Sequence, residues 1–260
     1  LLDLARDTAE FSDVVGMLPE GTDSTLLVEF YADSDEEGKQ KVADLIEDRV
    51  IDPDGTAYEP NGGAASVTNK DRRATDCMEA HDADTRAKFW KMRKSGLPIL
   101  LSRTTDEKHI AYIEDTAIPA ENLPAYVSDF QDILDEHDTF ASYYAHAGPG
   151  VLHIRPLVNT KTVEGVETFE EIADEVTDLV VKYGGSVSGE HGDGRARTQW
   201  NRKLYGDHLW NVFRDLKSAF DPNWILNPGN ICGDYDLTDD LRFSPDYELD
   251  AGFDPTLNWD

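Results

Sequence analysis

The chain has 260 residues, of which 39% are hydrophobic, enough for one large domain or two small ones with an apolar core. It carries 53 acidic and 24 basic residues, a net charge of -29, and the acids are spread along the whole sequence. Binding to a nucleic-acid backbone is disfavoured, because no basic patch stands out from this field. A uniformly acidic surface is typical of proteins kept soluble in high salt, so we expect a halophilic source.

Neither the apolar runs nor the N-terminus indicates a membrane or secreted protein. The longest apolar runs, such as 97–101, are far too short to cross a bilayer, and the N-terminus lacks a signal-peptide pattern. We therefore expect a soluble cytoplasmic protein. Cys77 and Cys232 provide neither a disulfide framework nor a CxxC motif, and the sequence does not decide whether they form a single disulfide.

Hydrophobic periodicity and turn residues predict alternating strands and helices. The predicted elements are, in chain order, a helical lead-in (1–24), a strand (25–32), a helix (33–46), a returning strand (64–68), a helix ending before Gly96 and Pro98 (82–95), a strand (108–114), a helix (120–136), a hairpin (143–155), helices (166–182 and 200–220) and an acidic tail (233–260).

The strand–helix pairs predict an α+β fold with an antiparallel sheet and helices mainly on one face. Two such units hint at a duplicated arrangement of ferredoxin-like halves. The domain plan is a lead-in (1–24), a main domain (25–232) and an acidic extended tail or linker (233–260).

Two histidines flank a turn rich in glycine and proline within residues 143–155. If the flanking segments pair as a hairpin centred on 149–150, His146 and His153 lie opposite each other, with Cβ atoms about 5 Å apart. Such a pair suits a shared metal ion, although two polar residues on a half-exposed sheet are the alternative. Along the second strand, the period of two puts His153 and Arg155 on one face.

A second polar stretch, residues 188–197, alternates ionisable side chains with three glycines. Glycine lets the backbone approach a ligand closely, so this stretch is either a site or a polar surface turn. Zinc normally needs at least three protein ligands, and Glu190 is the nearest further candidate beside His146 and His153. This requirement links the two stretches.

Three motifs carry a resemblance to a known family: His146 to His153, Ser188 to Gly192, and Phe220 to Gly229. In this order and at these separations, the chain resembles the C-terminal, substrate-side domain of FAD-linked oxidases, which include D-lactate, glycolate and D-2-hydroxyglutarate dehydrogenases. Residues 90–93 are similar to the family's arginine-bearing helix. The resemblance covers most of residues 25–232.

The resemblance implies a divalent metal, often zinc, held by His146, His153 and Glu190. It also implies that His191 lies next to the flavin and the substrate. His191 would accept the proton of the substrate hydroxyl while hydride passes from the α-carbon to FAD.

The resemblance further implies that Arg93 binds the substrate carboxylate through paired hydrogen bonds. Arg155, which lies beside the presumed metal ligand His153, is a second candidate for this contact. From the residues alone, Arg93 would be a solvated arginine at a helix end. Asn227 would lie near the flavin. The chain has Leu97 and Ile113 where members acting on 2-hydroxyglutarate carry polar or basic residues, and Arg155 where they carry asparagine, so the identity of the hydroxy acid stays open.

The sequence contains no glycine-rich pyrophosphate loop, so FAD would be held mainly by a domain of the same polypeptide outside this chain. The acidic tail is similar to the linker that precedes an iron-sulfur domain in large fused members. A zinc hydrolase using His146, His153 and Glu190 is one alternative function. A non-catalytic halophilic binding module is another.

Overall fold

The computed structural model describes residues 2–6, 11–49 and 74–248, which fall into two compact units, residues 1–99 and 100–260. Cys77 and Cys232 are free thiols. Within the described ranges, no helix is both long and apolar enough to cross a bilayer. The helices are α1 (Leu2–Arg6), α2 (Ser12–Val15), α3 (Asp35–Arg49), α4 (Ala83–Lys94), α5 (Gly96–Leu101), α6 (Leu123–Glu136), α7 (Val163–Lys182) and α8 (Thr198–Phe220).

The strand predicted for residues 25–32 is wrong. This segment is irregular, and Leu26 and Tyr31 are 74% and 86% exposed. Alternating apolar residues predict a strand only where a partner completes the hydrogen-bond ladder, and the described part of this unit contains no strand element. The returning strand predicted at 64–68 lies outside the described residues, so the duplicated halves stay a prediction.

The helix predicted for residues 82–95 is confirmed as α4. The side chain of Asp82 caps it by accepting a hydrogen bond of 2.8 Å from the backbone N–H of Thr85. Gly96 and Pro98 end α4 but do not end helical structure, because α5 begins at Gly96. Proline is tolerated in the first turn of a helix, where its missing N–H has no intrahelical acceptor.

The antiparallel sheet predicted from the sequence is present in the second unit. It contains β1 (Lys108–His109), β2 (Thr116–Ala117), β3 (Ala141–His146) and β4 (Val151–Val158). β4 is central: β3 pairs along one edge, whereas β1 and β2 pair with the two ends of the other edge. The strand predicted at 108–114 is therefore interrupted, and residues 110–115 leave the ladder between β1 and β2.

One face of β4 packs against α6 and α7, whose buried residues repeat at helical spacing along one side of each helix. Thr162 caps α7 by accepting from the N–H of Gly165 at 3.1 Å, so the helix starts three residues earlier than predicted. The fully buried members of this core include Tyr112, Tyr126, Phe130, Leu134, Ile154, Phe169, Ile172, Val176 and Val180.

The predicted final helix forms as α8, but its two halves differ in environment. Gly206, at φ 75° and ψ 165°, breaks the helical geometry between them. Trp200 is buried before the break, whereas Leu216 and Phe220 are 58% and 84% exposed after it. The apolar residues of this helix repeat at helical spacing, yet most of those after the break stay exposed.

Candidate active site and metal centre

The turn between β3 and β4 sets the relative position of the two histidines. His146 pairs with Val151 and His153 pairs with Tyr144, so the predicted register that placed the histidines directly opposite each other is wrong. Gly150, at φ 78°, donates its N–H to the carbonyl of Ala147 and moves the centre of the hairpin by one residue. The histidines are diagonal neighbours on one face, with ring centroids 5.4 Å apart.

A short bridge brings the loop 186–191 beside this hairpin. Ser186 and Ala117 exchange two backbone hydrogen bonds of 2.9 Å each, which places the loop next to β2. Gly189 then approaches β4 so closely that a Cβ atom would lie 2.9 Å from a methyl group of Val151. Only glycine allows this approach, and it places Glu190 and His191 over the hairpin.

The side chain of Asp115 holds the backbone of the same loop in place. It accepts hydrogen bonds from the Ser188 hydroxyl at 2.8 Å and from the N–H groups of Glu190 and His191 at 3.0 and 2.8 Å. Burial by itself raises the pKa of Asp115, but these hydrogen bonds outweigh it and lower the pKa. Asp115 adopts φ 80°, so its side chain and that of Glu114 both face the site instead of opposite sides.

Glu114 is the buried carboxylate at the centre of the site. Its two oxygens each lie 2.9 Å from a histidine Nδ1, Oε1 from His191 and Oε2 from His153. Nη2 of Arg155 lies 3.4 Å from Oε2, and Arg197 donates to the backbone carbonyl of Glu114. Burial raises the pKa of Glu114, but the two histidine hydrogen bonds and the charge of Arg155 outweigh it and lower the pKa to about 2.

Three imidazole nitrogens lie near one carboxylate oxygen of Glu190 above the hairpin. Oε1 of Glu190 lies 3.2 Å from Nε2 of His191, 3.5 Å from Nε2 of His153 and 3.7 Å from Nε2 of His146. Two ligands bound to one tetrahedral zinc at ordinary Zn–N and Zn–O lengths lie about 3.3 Å apart. The donor types suit zinc, but among the described residues the ligand atoms that lie within 4.8 Å of one another include those of His153, Glu190 and His191 and not that of His146.

Asp115 also has a carboxylate oxygen within 4.8 Å of ligand atoms of His153, Glu190 and His191. Its oxygens, however, already accept hydrogen bonds from Ser188 and from the loop backbone. Asp115 therefore holds the loop in position, and one of its oxygens also lies within reach of an ion bound by the neighbouring donors.

Sequence comparison decides the family. Residues 1–231 match the family described as FAD linked oxidases, C-terminal domain. The chain belongs to this family. The resemblance inferred from the three motifs is thereby confirmed at the level of the family, and of the alternatives raised by the sequence, a flavin-linked oxidase is the one that membership supports.

Relatives matched by this FAD-linked oxidase domain are longer proteins. The D-2-hydroxyglutarate dehydrogenase of Haemophilus influenzae is 40% identical over 154 residues, 59% of this chain and 15% of that protein. The D-2-hydroxyglutarate dehydrogenase of Pseudomonas putida is 32% identical over 206 residues, 79% of the chain and 19% of the relative. Glycolate oxidase subunit GlcD of Escherichia coli is 31% identical over 156 residues, which are 60% of this chain and 30% of that protein. The chain thus spans less than a third of the length of these relatives.

The remaining residues assigned from the resemblance lie in different parts of the FAD-linked oxidase domain. Arg155 is buried beside His153, with its guanidinium against Glu114. Arg93 occupies the last turn of α4 in the other unit. Asn227 is exposed at φ 45° in the turn after α8, where its carbonyl accepts from the N–H of Asn230 at 3.4 Å. Their roles stay predictions.

Sequence reasoning missed Glu114, Asp115 and Arg197. Arg197 donates to the backbone carbonyls of Gly192 and Glu114, and so connects the loop to the segment that carries the buried carboxylate. One signal was available: Glu114 and Asp115 stand at the end of an apolar stretch, where two consecutive acids are unusual in a buried strand.

Proposed function

We propose that this chain is the substrate-binding and proton-accepting part of a flavin-dependent oxidoreductase that oxidises a small D-2-hydroxy acid. The observation that carries the proposal is the convergence of His146, His153, Glu190 and His191 in a member of the FAD-linked oxidase family. A polar surface turn without a function would not need a buried carboxylate and a left-handed backbone residue to hold its side chains in place.

His191 is the proposed proton acceptor. Its side chain is 45% exposed, so a substrate hydroxyl can reach it, and its Nε2 lies 3.2 Å from Glu190 Oε1. The acceptor and the proposed metal ligands therefore line the same opening. FAD, when bound, supplies the acceptor for the hydride that leaves the α-carbon of the substrate.

His146, His153 and Glu190 are the residues that would hold zinc. His153 is buried, whereas the side chains of His146 and Glu190 are 49% and 43% exposed, so the donor set is closed towards the hairpin and open towards solvent. Three protein ligands with an open fourth position are typical of catalytic zinc sites. Zinc in such a site lowers the pKa of a hydroxyl bound beside it.

Several finer features belong to the proposal. Arg93 and Arg155 would bind the substrate carboxylate, and Asn227 would lie near the flavin, which a further domain of the same polypeptide would hold. The acidic composition supports the halophilic origin. The main domain 25–232, the tail 233–260 as a linker to an iron-sulfur domain, and the cytoplasmic location stay predictions.

Anaerobic flavin reduction in the complete polypeptide that carries this chain tests the function. Bleaching of the flavin after mixing with D-lactate, glycolate or D-2-hydroxyglutarate is the measured signal. Because a positioned base contributes roughly 10²–10⁴-fold, His191→Gln should slow reduction by about that factor. His208→Gln changes an exposed histidine on α8 and should leave the rate unchanged.

Two outcomes would contradict the proposal in different ways. If none of a broad panel of 2-hydroxy acids bleaches the flavin of the wild-type polypeptide, the substrate class is wrong. If they bleach it and His191→Gln matches His208→Gln, the oxidation stands and the role of His191 is wrong.

A further inference from the structure

We infer that Glu114 is a positioning residue that fixes two imidazoles at once, so that both turn Nε2 towards the shared donor cluster. The inference deepens the proposed function, on which its zinc-binding consequence rests. The geometry of the buried carboxylate carries it: one oxygen lies 2.9 Å from His153 Nδ1 and the other lies 2.9 Å from His191 Nδ1.

A carboxylate can only accept hydrogen bonds, so each of the two contacts places a hydrogen on Nδ1. In a neutral imidazole this leaves the lone pair on Nε2, the atom that faces Glu190 in both rings. The two rings are nearly parallel, at 18°, with centroids 5.1 Å apart. A single side chain therefore sets the orientation and the tautomer of a proposed zinc ligand and of the proposed proton acceptor.

The surroundings of Glu114 suit this role. Arg155 lies 3.4 Å from Oε2, and Nη2 of Arg197 lies 4.0 Å from Oε1, so each oxygen has one histidine and one guanidinium beside it. The side chain is 5% exposed, and water has little access to compete for the histidines. An apolar residue in its place would leave buried arginine charge without a partner, which is costly.

Glu114→Gln is the informative substitution, because an amide keeps the size but has one acceptor and one donor group. Its oxygen can accept from one imidazole, while its NH₂ group faces the Nδ1 of the other. That second ring must then carry its hydrogen on Nε2, where it cannot bind zinc or accept a proton. Loss of a carboxylate partner of a metal-binding histidine typically lowers affinity 10–100-fold.

The test uses the 260-residue chain, free of metal, at mildly alkaline pH. Long-range ¹H–¹⁵N correlation spectra report which ring nitrogen carries hydrogen. We expect Nδ1–H for His153 and His191 in the wild type, a change in one of them in Glu114→Gln, and a 10–100-fold loss of zinc affinity by competition titration with a chelating dye. Glu175→Gln is the control, since Glu175 makes a similar contact of 3.1 Å to His137 outside this cluster.

The tautomers decide the inference independently of zinc. An Nε2–H tautomer of either histidine in the wild type overturns it, even if Glu114→Gln fails to fold. It is also overturned if Glu114→Gln matches Glu175→Gln in both the spectra and the zinc titration. If the wild type shows the expected tautomers but binds zinc no better than Glu190→Gln, the zinc proposal fails and the positioning role stands.

Discussion

The two faces of β4 are both buried, but by different kinds of interaction. On one face, Leu152, Ile154 and Val158 join the core formed with α6 and α7. On the other, His153 and Arg155 are buried against Glu114 and the loop that carries Glu190. The first face depends on matching shape, whereas the second depends on polar side chains meeting partners of the right charge and direction.

Magnitudes show which face stabilises the fold. Full burial of an aliphatic side chain contributes about 1.5–3 kcal/mol. A buried ion pair often contributes nothing net, because desolvation offsets the attraction, although breaking it by removing one partner is costly. The apolar face is therefore expected to hold the domain together, and the polar face to hold the site in position.

Ile154→Ala should give the largest loss of stability. Ile154 is 1% exposed in the core, so truncation removes buried methyl groups and leaves a cavity, lowering the free energy of unfolding by about 2–5 kcal/mol. Ile154→Val is the graded control and should cost about 0.5–1.5 kcal/mol. Denaturant unfolding measures both, and zinc affinity of the folded fraction should stay unchanged. A large loss of zinc affinity in Ile154→Val would show that the apolar and polar faces of β4 are energetically coupled.

Gly150→Ala should affect both faces, because the turn sets the register. Gly150 lies at φ 78°, and a Cβ there would meet the carbonyl oxygen of Ile118 at 2.0 Å. The left-handed conformation alone costs about 1–2 kcal/mol for a residue with Cβ, and zinc affinity should also fall because His146 moves relative to His153. Gly148→Ala, with nothing within 4 Å and no positive φ, should change neither quantity. Equal behaviour of the two variants would contradict this.

Much of the apolar half of this picture is predictable from sequence, because periodicity reports which side of an element is buried. The stripes of α6 and α7 and the alternation along β4 are examples. Periodicity does not identify the covering partner, as residues 25–32 and the exposed half of α8 show. Those segments have apolar spacing, but most of their large apolar side chains stay exposed.

The polar half is predictable only in part. The spacing of His146, His153 and Glu190 indicated a shared site, and the structure brings them together. The two acids at 114–115 are unusual at the end of an apolar stretch, but their shared role could not be predicted, because consecutive strand residues point to opposite faces. Only the left-handed backbone at Asp115 turns both side chains towards the site. Glu114 and Asp115 are two of 53 acidic residues in the chain, so their acidity by itself carries little signal.

Asp115→Asn should lower stability less than Ile154→Ala or Gly150→Ala and still change the site. The amide fits the left-handed backbone and keeps one acceptor oxygen. Its NH₂ group is a donor and cannot accept a hydrogen bond from the N–H groups of Glu190 or His191, so we expect a loss of about 1–2 kcal/mol in the free energy of unfolding. Asp221→Asn is the matched control, since buried Asp221 accepts from the N–H groups of Ile225 and Leu226 at 3.1 and 2.9 Å. Urea unfolding should give similar losses for both variants, whereas only Asp115→Asn should shift the ring resonances of His191 and weaken zinc binding. If Asp221→Asn weakened zinc binding equally, the effect would reflect general destabilisation, and the loop would not be held by Asp115.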